Sequence, residues 1–388
     1  MYHSPPGWKD KALFTPGPLT TSRPVKEAML RDMGSRDHRF IAIVNEIRQG
    51  LLETAGVESD AFTAIPMQGS GTFSVEAVFA STVRAGGKVL LVINGAYGER
   101  MAAMCAVLKI DTVPLRFPED QLPDLDRIGA ALQANPDITD VAAVHCETTT
   151  GIINPIAAIG NAARAAGARY FVDAMSSFGA VPIDFEAACI DYLVSSANKC
   201  IEGVPGFGFT IARREPLLET AGRARSLSLD LLAQWQGLEG NGQFRFTPPT
   251  HALLAFQQAL QELAAEGGVP GRAARYRRNH AALVAGMRAL GFSEYLSPEL
   301  QGDIITSFLY PAHPNWNFET FYRRLGDRDC LIYPGKVSNA DCFRIGTIGR
   351  IFPADILTLI AAIRDTLVAM GVELKPAARP EDRSRLND

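Results

Sequence analysis

No two of the six cysteines (Cys105, Cys146, Cys189, Cys200, Cys330 and Cys342) form a CxxC pair in this 388-residue chain. Structural zinc sites want close ligand pairs, and small disulfide scaffolds want dense cysteines in a short chain, so the spacing argues against both. The six histidines are equally dispersed, and no metal is expected. Charge of one sign is missing too: 38 Lys plus Arg against 42 Asp plus Glu leave a formal net charge of −4. Nucleic-acid and membrane-surface partners favour a basic excess, so neither is expected. The densest basic stretch, Arg272 to His280, has helical spacing and reads as a solvated face diluted by Glu262 and Glu266. No apolar run approaches the roughly 18 residues of a membrane span, and no charged-then-apolar leader precedes Leu13. A cytoplasmic protein is the expectation.

What is present is globular material, 47% hydrophobic, enough for a large core. From about 60 to 215 short apolar runs alternate with stretches of helical spacing. Lys88–Asn94 is continuously aliphatic, as in a strand buried on both faces. Further strands are expected at 112–117, 140–145, 169–173, 190–195 and 208–212, with helices over 97–108 and from Pro155. Strands separated by such helices imply crossovers and a largely parallel sheet, with ligand chemistry at the carboxyl ends of its strands. After 250 two long helices, 251–266 and 270–290, lead into a smaller α/β segment that ends with a helix over 353–370. The fold class is therefore α/β: a large domain with a mostly parallel, helix-flanked sheet plus a smaller C-terminal α/β domain. The expected division is an N-terminal segment 1–20, a large domain 21–255, a small domain 256–372 and a frayed tail 373–388.

Three short motifs carry chemistry in combination. Gln68-Gly-Ser-Gly-Thr72 precedes an amphipathic run, and glycines before a helix let backbone N–H groups approach an anion. By itself it reads as an ordinary turn and helix cap, since it lacks a third glycine and the GK[ST] of a P-loop. Asp173 ends an apolar strand, where a turn residue or helix cap is the common reading. Lys199 follows another strand and precedes a loop dense in Gly and Pro. A lysine at a strand end can be partly desolvated, which frees its amine for Schiff-base chemistry. Together the three supply what pyridoxal phosphate needs: an anion cradle, a partner for the pyridinium and an amine that bonds the cofactor.

The chain resembles fold-type I pyridoxal-phosphate enzymes, specifically the class V aminotransferases. The resemblance rests on Phe14-Thr-Pro-Gly-Pro18, Gln68-Gly-Ser-Gly71, Glu147-Thr-Thr-Thr-Gly151, Val172-Asp-Ala-Met-Ser-Ser177 and Ser196-Ala-Asn-Lys-Cys200. It extends through Ser226-Leu-Ser-Leu-Asp230, Arg245-Phe-Thr-Pro-Pro-Thr250, Tyr333-Pro-Gly-Lys336 and Cys342-Phe-Arg-Ile-Gly346. It implies that Lys199 bonds the cofactor and that Asp173 partners the pyridine nitrogen. Ser70, Gly71, Thr72 and Ser196 would meet the phosphate, Tyr97 would stack on the ring, and Thr148 would lie near the phenolic oxygen. Thr247 would reach the phosphate of the neighbouring subunit in a homodimer whose active sites lie at the interface. Arg344 would clamp the acidic end of the substrate. The activity implied is transfer of an amino group from 2-aminoethylphosphonate to pyruvate, with alanine–glyoxylate or serine–pyruvate type transamination as the alternative. A desulfurase of the same cofactor class would need a nucleophilic thiol on a mobile loop, whereas Cys342 sits in a strand-like run and Asn198 precedes the lysine.

Overall fold

The β-branched and aliphatic runs assemble into one sheet. In the computed structural model, which describes residues 10–335, 337 and 340–376, its strands follow the chain as β1 (Phe62–Gln68), β2 (Lys88–Ile93), β3 (Asp111–Arg116), β4 (Ile138–Val144), β5 (Arg169–Asp173), β6 (Tyr192–Ser196) and β7 (Phe207–Arg213). Their spatial order is β1-β7-β6-β5-β4-β2-β3. The pairs from β6 through β3 are all parallel. In this sheet β7 runs against its neighbours, β6 and β1. The cause is the connection: residues 197–206 join β6 to β7 by a stretch shorter than the roughly dozen residues a parallel crossover needs to carry the chain back to the sheet's other end. Of the parallel pairs, β2–β3 is linked through α2 (Ala96–Val107), β4–β5 through α3 (Ile156–Ala165) and β5–β6 through residues 174–191, while α1 (Gly71–Thr82) carries the chain from β1 to β2. β1 is absent from the sequence reading, and Pro66 lies in it. A proline survives there because β1 is an edge strand with one side free of ladder bonds.

The first hydrophobic core runs from Val25 to Leu263 on the faces of this sheet. Helix α4 (Thr250–Ala265) contributes Leu253, Leu254, Phe256 and Leu263 to it, so a division at 255–256 would cut through a helix of the large core. The chain then turns at Gly267 and Gly268, both at positive φ, into α5 (Gly268–Ala289). A second core joins Leu283 and Met287 of α5 to the antiparallel sheet β8 (Ile305–Leu309), β9 (Tyr333–Pro334) and β10 (Cys342–Gly346), and to α6 (Pro353–Met370). Phe14 also belongs to this core, and Ala12–Leu13 pairs in parallel with Cys330–Leu331. The N-terminal segment therefore binds to the small unit before entering the large one.

One expectation is corrected. The basic stretch of α5 is a solvated face only at Arg277 and Arg278, because Arg272 and Arg275 are buried. Arg275 pairs with Glu202 and with Glu266, each at 2.6 Å, and Arg272 with Glu266 at 2.7 Å. Tyr276 donates its hydroxyl to Glu202 at 2.6 Å. Two arginines and two glutamates balance each other's charge in place of water, which is the condition for burying charge, although Glu202 Oε2 and Arg272 Nη2 have no hydrogen-bond partner among the described residues. Of the remaining expectations, residues 1–9 of the N-terminal segment, Lys336 and residues 377–388 of the tail lie outside the described residues.

Candidate active site

The carboxyl ends of β1, β2, β5 and β6 open on a cavity of about 160 Å³. Its polar lining includes Ser70, Thr72, Tyr97, Asp173, Ser196, Asn198 and Lys199, beside Gly71 and Arg100. Residues from four separate strand ends therefore meet in one place, as expected for a sheet of this kind.

Gly71 opens α1, and Ser70 in the N-cap position makes no capping bond with its side chain among the described residues. Its hydroxyl is thus not spent on its own helix. A Cβ at Gly71 would come 2.1 Å from the Met175 sulfur and 3.2 Å from the Ser196 Cβ, so a larger residue would push the Met175 side chain aside and crowd this corner. The Ser196 hydroxyl is buried and has no partner among the described residues. A buried hydroxyl normally has one, and a helix N-terminus favours negative charge. The corner therefore fits an anion of phosphate size.

Asp173 closes β5 and is 4% exposed. Burial raises its pKa to about 6, while the Met175 N–H, Lys199 and Arg100 pull it back down. Its Oδ1 accepts the Met175 N–H at 2.9 Å. Lys199 stands three residues beyond β6, and desolvation lowers its pKa to about 8. Its Nζ donates to the Pro16 carbonyl at 2.7 Å. The N-terminal segment lies against this side chain: a Cβ at Gly17, whose φ is +115°, would come 2.7 Å from the Lys199 Cδ. A lysine with a lowered pKa beside a carboxylate in a cavity is a common signature of chemistry.

Tyr97 lies in the first turn of α2, where burial raises its phenol pKa. Thr148 donates its hydroxyl to the Tyr97 oxygen at 3.1 Å, and accepts Arg344 Nη1 on its carbonyl at 2.7 Å. Arg344, in β10, also donates to the Pro334 carbonyl from Nη2 at 2.9 Å and lies over the Tyr333 ring. The small unit thus delivers its guanidinium to the Tyr97–Thr148 side of the site. Thr247 is not in the cavity; it is exposed, and its carbonyl accepts Gln68 Nε2 at 3.3 Å.

Two residues escape the sequence reading. Arg100 lines the cavity one turn after Tyr97, with its guanidinium 4.9 Å from the centre of that ring. The spacing of 97, 100, 101 and 104 along one helix face is the available signal. Glu147, quoted only as part of its motif, proves to be a fully buried carboxylate. His145 is also buried, its pKa lowered to about 4 by burial, and its backbone N–H donates to the Asp173 carbonyl at 2.8 Å. All six cysteines are buried, and burial pushes the Cys200 thiol up to about 12, far from a ready nucleophile.

The likeness to known proteins covers most of the chain. Residues 22–322 match the family model described as Aminotransferase class-V. The 2-aminoethylphosphonate–pyruvate transaminase of Salmonella dublin is 54% identical over 357 residues, covering 92% of this chain and 97% of that protein. The protein of the same name from Syntrophobacter fumaroxidans is 52% identical over 362 residues, with 92% and 97% covered. Among solved structures, the alanine–glyoxylate aminotransferase of Nostoc sp. superposes with a TM-score of 0.86 at 25% identity, covering 95% of this chain and 98% of that one. The ureidoglycine–glyoxylate aminotransferase of Bacillus subtilis has the same TM-score at 24% identity, with 95% of each chain covered. With 54% of the aligned residues shared over 92% of its length, and residues 22–322 matching the family model, the chain belongs to the class V aminotransferase family.

Proposed function

We propose that this protein transfers the amino group of 2-aminoethylphosphonate to pyruvate, giving phosphonoacetaldehyde and alanine, with pyridoxal phosphate as cofactor. The observation that carries the chemistry is the meeting of Lys199, Asp173 and the unpartnered Ser196 hydroxyl in one cavity. The substrate follows from the relatives named for this reaction, which match 92% of the chain at 52–54% identity. Pyridoxal phosphate, when bound, supplies a carbonyl that takes up the amino group and a ring that accepts an electron pair.

Each residue then has a definite task. Ser70, Gly71, Thr72 and Ser196 hold the phosphate. Asp173, as an anion, keeps the proton on the ring nitrogen. Tyr97 packs against the ring and Thr148 offers its hydroxyl near the phenolic oxygen. Lys199, freed when the amino substrate binds, would take the proton from the amino-bearing carbon and pass it to the cofactor's former carbonyl carbon, and would carry it the other way in the second half-reaction. Arg344 pairs with phosphonate in one half-reaction and with carboxylate in the other, since its planar fork suits both oxyanions. Thr247 serves the phosphate of a second subunit in a homodimer. That reading is supported by the half-exposed Phe73 and Phe246, apolar residues flanking Thr72 and Thr247.

Steady-state kinetics test the reading. Alanine should form from 2-aminoethylphosphonate and pyruvate with the parallel-line pattern of a ping-pong reaction. Turnover with alanine or serine as donor and none with the phosphonate would instead favour the carboxylate-specific alternative. Arg344→Lys should cut kcat/KM for both substrates by on the order of 100-fold, since it loses the fork as well as its anchoring bonds. Near-normal turnover in that variant would end the clamp assignment.

A further inference from the structure

Glu147 lies outside the lining of the cavity, yet it is fully buried and bonded at both oxygens. Oε1 accepts the backbone N–H groups of Tyr97 and Gly98, each at 3.0 Å. Oε2 accepts the Thr149 hydroxyl at 3.1 Å. The two N–H groups belong to the first turn of α2, where a helix has no acceptor of its own. The usual remedy is a Ser, Asp or Asn in the N-cap position. That position holds Gly95, which has no side chain to offer. Its φ of 177° is extended, so the backbone does not demand glycine there. Space does: a Cβ on Gly95 would come 2.5 Å from the Glu147 carboxyl carbon. The cap is supplied from 50 residues along the chain, and Gly95 makes room for it.

This cap, together with the Ala96 N–H that the Thr149 hydroxyl accepts at 3.4 Å, joins two parts of the site. On one side it fixes the turn that carries the Tyr97 ring. On the other it fixes the Glu147–Thr149 turn, whose middle residue bonds the Tyr97 hydroxyl and gives its carbonyl to Arg344. Burial pushes the Glu147 pKa up to about 7, and the surrounding donors pull it down. In each of these bonds the carboxyl group accepts, a role the carboxylate form fills best.

We propose that Glu147 is a positioning residue that sets the Tyr97 ring and, through the Thr148 carbonyl, the Arg344 guanidinium relative to Lys199. It thereby tunes affinity for the oxyanion end of both substrates. The proposal rests on the transamination reading above.

The test uses cofactor-loaded wild type, Glu147→Gln, Gly95→Ala and Thr149→Val. Glutamine keeps the size but turns one acceptor into a donor facing donors. Alanine at 95 displaces the carboxylate without changing its charge. Valine at 149 keeps Glu147 and removes the Thr149 hydroxyl, with its bond to Glu147 and the long 3.4 Å bond it accepts from the Ala96 N–H. Each is assayed for kcat and KM with 2-aminoethylphosphonate and with pyruvate, for the visible circular dichroism of the bound cofactor, and for Tm. Glu147→Gln and Gly95→Ala should each lose on the order of 100-fold in kcat/KM with both substrates, with KM raised and the dichroic band altered. Thr149→Val should shift the same readouts by a few-fold, and it decides the matter should the other two not fold. A fall in Tm with kcat, KM and the dichroic band unchanged would make Glu147 a stabilising cap alone and overturn the proposal. Wild type that forms no alanine overturns the functional reading instead.

Discussion

Lys199 gives up its proton more readily than an exposed lysine because burial disfavours the ammonium ion. The neutral amine is the form that bonds a carbonyl. Protein stripped of cofactor should therefore recapture pyridoxal phosphate at a rate that rises about tenfold per pH unit and levels off near pH 8. Stopped-flow absorbance checks this, and a rise continuing past about pH 10 would contradict it. Asp173 has the opposite sign. Its pKa goes from an ordinary 3.8 to about 6 on burial, so the folded stripped protein holds this proton more tightly than the unfolded chain. The contribution is fully present below about pH 4 and is lost as pH rises to about 6, a change of roughly 3 kcal/mol at most. Asp173→Asn should flatten that part of the stability–pH curve in denaturant titrations. Gly71→Ala should weaken cofactor binding by on the order of 10- to 100-fold, as its Cβ intrudes on the Met175 sulfur and Ser196. Lys199 and Asp173 are legible in the sequence as candidates because each stands at or just past the end of an apolar strand run and the two occur together with the Gly69–Gly71 turn. Glu147 is not, since its role depends on helix N–H groups 50 residues away that no local pattern exposes.

At the scale of elements, local pattern serves where elements are self-sufficient and fails where tertiary contacts decide. Lys88–Ile93 announces a central strand through its own aliphatic run. β1 does not, because its proline is acceptable only at the sheet edge, a fact of topology. α5 shows the same limit: Arg272 and Arg275 read as solvated until Glu202, in the loop after Lys199, is seen to meet them. That contact ties the lysine loop to the helix leading into the small unit, and Arg272 further donates to the Cys200 carbonyl. Glu202→Ala should leave two buried guanidinium groups short of a counter-charge and cost about 3–5 kcal/mol of unfolding free energy. Chemical denaturation measures it; a loss below about 1 kcal/mol would show that Glu266 alone suffices.

At the scale of the molecule, the site is assembled from both cores. The sheet of the large unit carries the lysine, the aspartate and the Gly71 corner that line the cavity, while Arg344 of β10 lies outside that lining and meets it through Thr148 and Tyr97. The N-terminal segment crosses between them, with Phe14 in the second core and the Pro16 carbonyl on Lys199. A single chain leaves Thr247 outside the cavity, and the proposed homodimer gives it a task. If each site borrows a partner's Thr247, then Lys199→Ala and Thr247→Ala chains, each impaired alone, should recover about a quarter of wild-type activity after mixing and reassociation, from mixed dimers with one intact site. No recovery would confine Thr247 to its own subunit.

The most direct measurement is the first half-reaction alone. Cofactor-loaded protein is mixed with 2-aminoethylphosphonate without pyruvate, and the visible band of the bound cofactor is followed with the aldehyde released. The band should vanish with one equivalent of phosphonoacetaldehyde per site, and return with an equal amount of alanine when pyruvate is added. A band that persists with the phosphonate, or is lost only with alanine or serine, would contradict the account.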